Sequence, residues 1–515
     1  MQKKSIDTIS LLFDALALAG GALLTLAFAP FHFYFLAILS PAILLLAIKS
    51  GSLKRIAWRG WLFGLGFFGT GASWVFVSIH LYGPAPIPLA LLLTFLFVAA
   101  LACYFSALTL LFKKFFPHTS LTSYLVAFPA MWLLFEALRG YLFTGFSWLF
   151  LGYSQTNSPL ATFIPVIGTY GLSFLLVLTG GCIAFAIEMR KQVFYVLLPM
   201  IAMLALFCVG SIANSYEWTN RKGDILRVAL VQGNIPQTQK WDPQFIHNIM
   251  NRYADLTQSE WQNDIIVWPE AAVPIPLPYA NHWLTQLAKQ ARQHDAVMIV
   301  GAISENAQGQ YYNSMVSLGR NNDIYDKRKL VPFGEFVPFE SYLRGIIKFF
   351  DLPMSHMDSG NSQDASILHA GALAVLPMIC YEVAYVDQLR DAKDSDILVT
   401  ISNDGWFGNS IGPHQHLQIA QARALESGRY VLRATNSGIT AIINPFGEVV
   451  SQIPQFEPSV LRGEAFAMEG ETPFMKIGYA KLLWFATVLL LGSLVVTANH
   501  RRFVKFISSA RDVQD

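Results

Sequence analysis

Three widely separated residues, Glu270, Lys327 and Cys380, have side chains that could take part in nucleophilic catalysis. Cys380 follows the apolar run Leu376–Ile379, whereas the other three cysteines lie inside long apolar segments. A free cysteine usually packs as a small hydrophobic residue. In a polar domain that faces an oxidising compartment, however, an unpaired thiol is a liability unless its chemistry is used. Cys380 is therefore a candidate nucleophile.

The three candidates share a position, because each follows a short apolar segment with the composition of a buried strand. These segments are Ile265–Pro269 before Glu270, Ile324–Asp326 before Lys327, and Ala374–Ile379 before Cys380. Active sites in open α/β sheets collect at the C-terminal ends of strands. We therefore expect the three side chains to lie close together.

Apolar strands and amphipathic helices alternate through the polar part of the chain, which predicts an α/β sheet covered by helices. The predicted strands are 225–232, 264–268, 296–301, 313–318, 374–379, 396–401, 430–433 and 439–444. The predicted helices are 245–256, 283–293 and 416–429. The segment 331–366 is rich in aromatic residues without a regular pattern, and a loop of this length is usually a lid or a binding loop. Its aromatic side chains could contact lipid or pack in the interior.

The composition indicates a membrane protein, with 54% hydrophobic and only 14% charged residues. A membrane-spanning helix needs about 20 apolar residues. The candidate spans are about 9–29, 31–48, 60–80, 86–112, 121–138, 161–187, 192–213 and 477–498. The sequence thus predicts a membrane domain over 1–213 with seven spans, a polar catalytic domain over 214–476, and an eighth span with its tail over 477–515.

Basic residues decide the expected orientation, since short cytoplasmic loops are rich in Lys and Arg. They lie at the N-terminus, between spans two and three, and after spans four, six and eight: Lys3, Lys4, Lys49, Lys54, Arg55, Arg59, Lys113, Lys114, Arg190, Lys191, Arg501, Arg502 and Lys505. All these positions fall on one side, so both termini are expected in the cytoplasm and 214–476 outside it. A signal peptide cut after Ala29 is the alternative, but Pro30 and the further spans favour an uncleaved first span. No basic patch suggests nucleic-acid binding.

Asp14, His80 and Glu136 lie within the predicted spans, where ionisable groups are functional candidates by default. Glu136 stands three residues before Arg139, so a structural helical pair is the favoured interpretation. Asp14 and His80 lie near span ends, where water can hydrate them. The loop 140–158 is rich in aromatic residues, which predicts a segment at the depth of the lipid headgroups.

His414 and His416 could suggest a metal site, but the sequence offers no third ligand at metal-site spacing nearby. Because the pair precedes a helix, hydrogen bonding or capping is the favoured interpretation. Asp404 stands in a Gly-bounded turn, where local backbone bonding is the usual role, and its position after a strand would also allow it to line a pocket.

The short sequence motifs around the three candidates resemble the Glu–Lys–Cys signature of the nitrilase, or carbon–nitrogen hydrolase, superfamily. The matching motifs are Trp268-Pro269-Glu270, Tyr325-Asp326-Lys327 through Leu330–Glu335, and Cys380-Tyr381-Glu382. With eight predicted spans, Trp241 and the segments 233–236, 402–408 and 412–416, essentially the whole chain is similar to the apolipoprotein N-acyltransferase family. The resemblance implies a polytopic α-helical membrane domain plus an extracytoplasmic α/β domain of the αββα nitrilase type.

The resemblance also implies a role for each catalytic residue. Cys380 would be the nucleophile that forms a thioester. Glu270 would act in turn as base and acid. Lys327 would hold its charge on the oxyanion of each tetrahedral intermediate.

Four supporting residues follow from the same resemblance. Glu335 and Glu382 would be carboxylates that orient Lys327 and Glu270. Tyr381 and Trp241 would shape the route to the thiol, with Trp241 as a substrate-binding residue. The resemblance implies no metal and no cofactor.

The implied reaction is a ping-pong acyl transfer. A phospholipid gives an acyl chain to Cys380, and the N-terminal amine of a diacylglyceryl-cysteine apolipoprotein then takes it, which is the last step of lipoprotein maturation. The expected setting is the bacterial inner membrane, with the catalytic domain of a monomer in the periplasm. A membrane-tethered amidase that hydrolyses a small C–N substrate is the first alternative, but the eight spans would serve no purpose. A transporter is the second, and it leaves the three candidate residues unexplained.

Overall fold

The structure is a computed structural model that describes residues 2–190, 193–213, 216–337, 356–361, 364 and 366–511. Apolar helices form the region before residue 214 and the C-terminal segment, and an α/β domain lies between them. The predicted fold class is confirmed, while the predicted domain boundaries stay predictions. Most of the predicted loop 331–366 lies outside the described residues, so its role as a lid also stays a prediction.

The membrane region is built from apolar helices. They are α1 (Gln2–Thr25), α2 (Leu36–Ala47), α3 (Leu53–Gly71), α4 (Trp74–Val77, continued by the turn Ser78–Tyr82), α5 (Ile87–Phe115), α6 (Phe128–Tyr141), α7 (Ile164–Glu188), α8 (Val193–Ala213) and a last helix, Tyr479–Arg511. Within the described ranges, 5 helices are long and apolar enough to cross a bilayer, or 6 if α3 and the segment after it form one span bent by 55°. The predicted spans 31–48 and 192–213 coincide with shorter apolar helices. The count of eight therefore stays a prediction.

Asp14 and His80 have structural partners inside the membrane region. Asp14, near the middle of α1, accepts hydrogen bonds from Arg55 Nε at 3.0 Å and Arg59 Nε at 2.9 Å in the first two turns of α3. The Nδ1 atom of His80 lies 2.8 Å from the carbonyl oxygen of Ala85. The first contact joins α1 to α3, and the second ties the segment Ser78–Tyr82 to the loop that follows it.

Glu136 and Arg139, predicted to form a helical pair, make no direct ion pair among the described residues, because each of them hydrogen-bonds the loop 140–158. Glu136 Oε1 accepts from the backbone N–H of Leu151 at 2.8 Å, and Arg139 donates to the carbonyl of Phe146 at 2.9 Å. The i, i+3 spacing permits a pair, but the buried loop offers both side chains better-directed backbone partners. Their function is to hold this loop.

The loop 140–158 is exposed only at its start, so its interpretation as an interfacial segment is wrong for the rest. Tyr141 and Phe143 are 84% and 81% exposed, but Trp148 and Tyr153 are each only 1% exposed. The second half of the loop packs beneath the α/β domain, where its aromatic rings gain more by burial than by lying at an interface.

Two six-strand paths form the sheets of the α/β domain. The first sheet contains β1 (Asn220–Gln232), β2 (Ile265–Val267), β3 (Val273–Pro276), β4 (Val297–Glu305), β5 (Tyr311–Leu318), β6 (Asp323–Asp326) and β13 (Ser459–Glu469). Its strand order is β13-β1-β2-β4-β5-β6, and β3 pairs with β4 beside this path. The second sheet contains β7 (Leu368–Ala370), β8 (Leu373–Ile379), β9 (Ile397–Ser402), β10 (Val431–Thr435), β11 (Thr440–Ile443) and β12 (Val449–Ile453). Its strand order is β12-β11-β10-β9-β8-β7. Parallel pairs at the centre and antiparallel pairs at the edges make both sheets mixed.

The two sheets pack face to face through one apolar core. Leu230 and Ile299 of the first sheet and Ile379 and Ile401 of the second belong to that core, and all four are fully buried. Helices α9 (Ile246–Thr257) and α10 (Leu277–Gln293) cover the outer face of the first sheet. The central strands β2, β4, β8, β9 and β10 read as apolar runs because they are buried on both faces.

Helix α11 (Gly412–Ser427) covers the second sheet and also contacts the membrane region. The backbone N–H of Thr169, in α7, donates to Glu426 Oε1 at 2.8 Å, and Trp148 Nε1 donates to Gln415 Oε1 at 2.7 Å. A helix that is buried on all sides cannot show the one-sided pattern of a surface helix. The same helix therefore belongs to the catalytic core and to the interface with the membrane region.

The predicted strands and helices all appear, with ends shifted by a few residues. The largest omission is β13, because the last predicted strand is 439–444. Strand β13 pairs antiparallel with β1, so that Phe466 lies opposite Ile225. The alternating burial of β13, with Ala465 buried and Glu464 exposed, is the signal for a strand that sequence reasoning missed.

Candidate active site

The predicted catalytic residues follow strands from both sheets. Lys327 comes directly after β6 and Glu270 lies three residues after β2, both in the first sheet, whereas Cys380 comes directly after β8 in the second. Since the sheets face each other, strand ends that are remote in sequence meet at one edge of the sandwich. The fold therefore brings the three residues to one site, as their spacing predicts.

Lys327 is held between two carboxylates in a fully buried site. Its ammonium nitrogen lies 2.8 Å from Glu335 and 3.7 Å from Glu270 Oε1. Burial lowers the pKa of Lys327, but the charges of Glu335 and Glu270 outweigh burial and raise it. Lys327 therefore stays an ammonium ion throughout the physiological pH range.

Asn313 connects the two carboxylates and was not found from the sequence. Its Nδ2 atom donates to Glu270 Oε1 at 2.6 Å and to Glu335 Oε1 at 3.0 Å, and Asn313 itself is fully buried. The backbone N–H of Val331 donates to the other oxygen of Glu335 at 2.9 Å. These contacts hold Glu335 in a fixed position beside the Lys327 ammonium group, and its supporting role stays a prediction.

Cys380 occupies a backbone conformation that is rare for an L-residue, with φ of 53°. Such strain clusters at functional sites, and Cys380 is partly buried against the core between the two sheets. Burial and the Glu270 carboxylate raise the pKa of the thiol, while Lys327 lowers it. The net rise keeps the thiol protonated at neutral pH, so it needs a base before it can attack.

Glu382 contacts the backbone around the site rather than the side chain of Lys327 or Glu270. It is fully buried and accepts from the backbone N–H groups of Arg328 at 2.7 Å, Lys329 at 3.1 Å and Ile379 at 2.9 Å. These groups flank Lys327 and Cys380 in the sequence. Glu382 therefore fastens the two backbone segments to each other, and its carboxylate bonds to neither Lys327 nor Glu270 among the hydrogen bonds of the described residues.

Tyr381 connects the nucleophile to the membrane region. Its hydroxyl accepts from the backbone N–H of Ser147 and donates to the carbonyl of Gly145, each at 3.3 Å. Its ring stacks on Trp148 at 6.1 Å between centroids. The residue next to the thiol is therefore packed against the loop 140–158.

Two further buried groups border the site. Lys240 is 1% exposed, and its ammonium nitrogen donates to the carbonyl oxygen of Glu270 at 2.7 Å. Burial lowers the pKa of Lys240 to about 8, although Glu270 and Cys380 raise it. Trp241 follows directly and is partly buried. Sequence reasoning singled out Trp241 but missed Lys240, which looks like an ordinary surface lysine without its tertiary partners.

His416 and Asp404 belong to a buried network behind the nucleophile. The Nδ1 atom of His416 lies 2.8 Å from Asp404 Oδ1, and its Nε2 atom lies 3.1 Å from the carbonyl oxygen of Cys380. Arg433 donates to Asp404 Oδ2 at 2.6 Å. Hydrogen bonding by His416 agrees with the favoured interpretation, while His414 makes a weaker contact with Gln455 at 3.4 Å. In the described part of the chain, no group of three or more His, Cys, Asp or Glu side chains could hold a metal ion.

A base, a buried cation and a thiol at the strand ends of an αββα sandwich define a carbon–nitrogen hydrolase domain, and residues 227–465 match the carbon-nitrogen hydrolase family model. Residues 20–182 match the model of the apolipoprotein N-acyltransferase N-terminal domain. Apolipoprotein N-acyltransferase of Pseudomonas syringae pv. tomato is 43% identical over 90% of this chain and 92% of its own length. That of Coxiella burnetii is 43% identical over 93% of this chain and 99% of its own length. The chain belongs to the apolipoprotein N-acyltransferase family.

Solved structures similar to this chain align with about half of it. A CN-hydrolase superfamily protein from Xanthomonas campestris covers 47% of this chain and 91% of its own, with a TM-score of 0.34 and 16% identity. The nitrilase-superfamily protein Nit3 of Saccharomyces cerevisiae covers 49% of this chain and 92% of its own, with a TM-score of 0.36 and 14% identity.

Proposed function

We propose that this enzyme transfers a fatty acyl chain from a membrane phospholipid, through a thioester on Cys380, to the N-terminal amine of an apolipoprotein. One observation carries the proposal: the residue after the nucleophile, Tyr381, packs on the loop 140–158 of the membrane region. Because the neighbour of Cys380 contacts the membrane region directly, a phospholipid that remains in its leaflet can reach the thiol.

In the first half-reaction, Glu270 takes the proton of the Cys380 thiol as the sulfur attacks the ester carbonyl carbon. The C–O bond of the ester then breaks, the departing oxygen takes the proton back from Glu270, and the lysophospholipid leaves. Lys327 stabilises the oxyanion of the tetrahedral intermediate, an effect worth about 3–4 kcal/mol for a single well-placed donor. The product is an acyl thioester with Glu270 ionised again.

In the second half-reaction, the N-terminal amine attacks the thioester carbonyl. Glu270 takes a proton from the attacking nitrogen, the C–S bond breaks, and the Cys380 sulfur recovers its proton. Lys327 again stabilises the oxyanion of the tetrahedral intermediate. Because Glu335 and Glu270 keep Lys327 charged, the same cation serves both tetrahedral intermediates without a change of its own protonation.

We also propose that the protein crosses the bacterial inner membrane several times, with both termini in the cytoplasm and the catalytic domain in the periplasm. The one-sided distribution of basic residues supports this orientation. A monomer is the proposed working unit, because the proposed reaction uses one Glu270, one Lys327 and one Cys380 and needs no second copy of any of them. Reporter fusions at the C-terminus and light scattering of the purified protein test the two statements.

The decisive experiment incubates purified full-length protein with a fluorescent phospholipid and a diacylated lipopeptide. We expect a long-chain thioester by intact mass spectrometry and a triacylated product. Cys380→Ala should form neither, whereas Cys208→Ala, which removes an exposed free cysteine elsewhere, should form both. A thioester on the Cys380→Ala protein would refute the assignment, and hydrolysis of small amides without a triacylated product would favour the amidase.

A further inference from the structure

The segment after β1 presents three hydrogen-bond donors on one face. The backbone N–H of Lys240 donates to the carbonyl of Pro236 at 3.2 Å, which makes this segment a single helical turn. Gln237, Lys240 and Trp241 stand at positions i, i+3 and i+4 of that turn and so share one side of it. We call these three residues the donor face.

The amide of Gln237 has a fixed orientation because a chain of amides leads to the backbone. The backbone N–H of Ile235 donates to Asn436 Oδ1 at 2.9 Å, and Asn436 Nδ2 donates to Asn403 Oδ1 at 3.1 Å. Asn403 Nδ2 in turn donates to Gln237 Oε1 at 2.7 Å. Since the first bond admits only one orientation, each later amide is determined, and the NH2 group of Gln237 must point away from Asn403.

Two donors of this face are buried and lack a protein partner. Gln237 Nε2 and Trp241 Nε1 are both inaccessible to solvent and form no hydrogen bond with any described residue. A buried donor without a partner costs about 1–3 kcal/mol, and such groups are rare unless a ligand or water satisfies them. Their presence side by side indicates a site that accepts an oxygen-bearing group.

Lys240 gives this face a positive charge next to the catalytic centre. Its ammonium group bonds to the neutral carbonyl of Glu270 rather than to a carboxylate, so its hydrogen-bonding partner does not neutralise it. On the other side, Asn403 leads into the segment whose Trp406 carbonyl accepts from Ser78 Oγ of the membrane region at 2.8 Å. The donor face therefore lies between the thiol and the part of the domain that contacts the membrane region.

We propose that the donor face binds the phosphate group of the phospholipid acyl donor. This inference rests on the proposed function and identifies which substrate group the site recognises. A phosphodiester is an anion with several acceptor oxygens, so it suits one ammonium and two N–H donors. The amine of the second substrate is protonated in water, and Lys240 would repel it. The donor face would thus orient the first substrate and select against acyl donors without phosphate.

Gln237→Glu is the sharpest test, because it keeps the shape and the oxygen that Asn403 binds but replaces the free NH2 by a carboxylate oxygen. Full-length protein in detergent is mixed with phosphatidylglycerol or with diacylglycerol of the same acyl chains. The rate of thioester formation is followed by intact mass spectrometry at increasing donor concentration. Trp241→Phe removes only one donor, and Gln308→Glu makes the same charge change in an exposed turn.

We expect Gln237→Glu to raise the phosphatidylglycerol concentration for half-maximal rate about tenfold, the value of one hydrogen bond to a charged group. Trp241→Phe should shift it in the same direction, and in both variants the shift with phosphatidylglycerol should clearly exceed the shift with diacylglycerol. Gln308→Glu should behave as the wild type with both donors. The inference would be overturned by an equal shift with diacylglycerol. It would also be overturned if the substitutions changed only the reaction with the peptide amine, or changed nothing. Failure of the wild type to form any long-chain thioester would instead overturn the proposed function.

Discussion

Replacing Glu335 by Gln tests how the site keeps its cation charged. The substitution preserves the size of the side chain but removes the carboxylate that lies 2.8 Å from the Lys327 ammonium nitrogen. Glu270 remains at 3.7 Å. At an effective dielectric constant of about 20, these pairs correspond to about 6 and about 4.5 kcal/mol, so Glu335 supplies somewhat more than half of the attraction.

The expected loss is smaller than the pair energy, because the glutamine oxygen still accepts a hydrogen bond. Removing one partner of a buried ion pair costs about 3–5 kcal/mol, and with Glu270 still present we expect about 2–4 kcal/mol in the stabilisation of the oxyanion. Since about 1.4 kcal/mol is a factor of ten in rate, thioester formation should slow by about 30-fold to 1,000-fold.

The pH dependence gives a second readout. In the wild type the carboxylates raise the pKa of Lys327, and the active ammonium form is lost only when pH rises through that value. Without Glu335 the opposing effect of burial weighs more, so the alkaline limit of the rate should move to lower pH. Glu457→Gln, at an exposed position, is the control. An unchanged rate and an unchanged alkaline limit in Glu335→Gln would refute the role given to Glu335.

Two further substitutions test the scaffold of the site. Asp404→Asn should lower the free energy of unfolding by about 3–5 kcal/mol, since it leaves Arg433 buried without its carboxylate. Because Arg433 and His416 outweigh burial and lower the pKa of Asp404, its stabilising effect is present above about pH 4 and is lost as pH falls further. Thermal unfolding of the variant should therefore depend less on pH below about 4, and an equal acid dependence would contradict this. Gly301→Ala should slow thioester formation in protein that remains folded, because the added Cβ would lie 2.8 Å from Glu270 Cα and displace that residue. Normal turnover by that variant would show that Glu270 tolerates displacement.

Local chemistry explains why much of the site could be predicted from the sequence. Glu270, Lys327 and Cys380 each follow an apolar strand, and the geometry of sheets brings such positions to one edge. The central strands are recognisable because they are buried on both faces. These features depend only on neighbouring residues, so the chain order is sufficient to find them.

Other parts of the site depend on contacts between distant segments, and no local pattern reports them. Lys240 has an ordinary neighbourhood in sequence, but its partner is the backbone of Glu270, thirty residues away. Glu382 was singled out by its motif, yet its function as a backbone anchor requires the positions of Arg328 and Ile379. A side chain that binds backbone groups leaves no complementary residue to be found in the sequence.

The sequence by itself determined the membrane-bound class of the protein, the α/β nature of its polar domain and the identity of the candidate catalytic residues, because composition, periodicity and short motifs are local properties. The tertiary structure alone decided that Glu136 and Arg139 hold the loop 140–158, that α11 is shared by the catalytic core and the membrane region, and that Gln237 and Trp241 are left with unpaired donors. These features are set by burial and by the direction of hydrogen bonds, which exist only once the chain has folded.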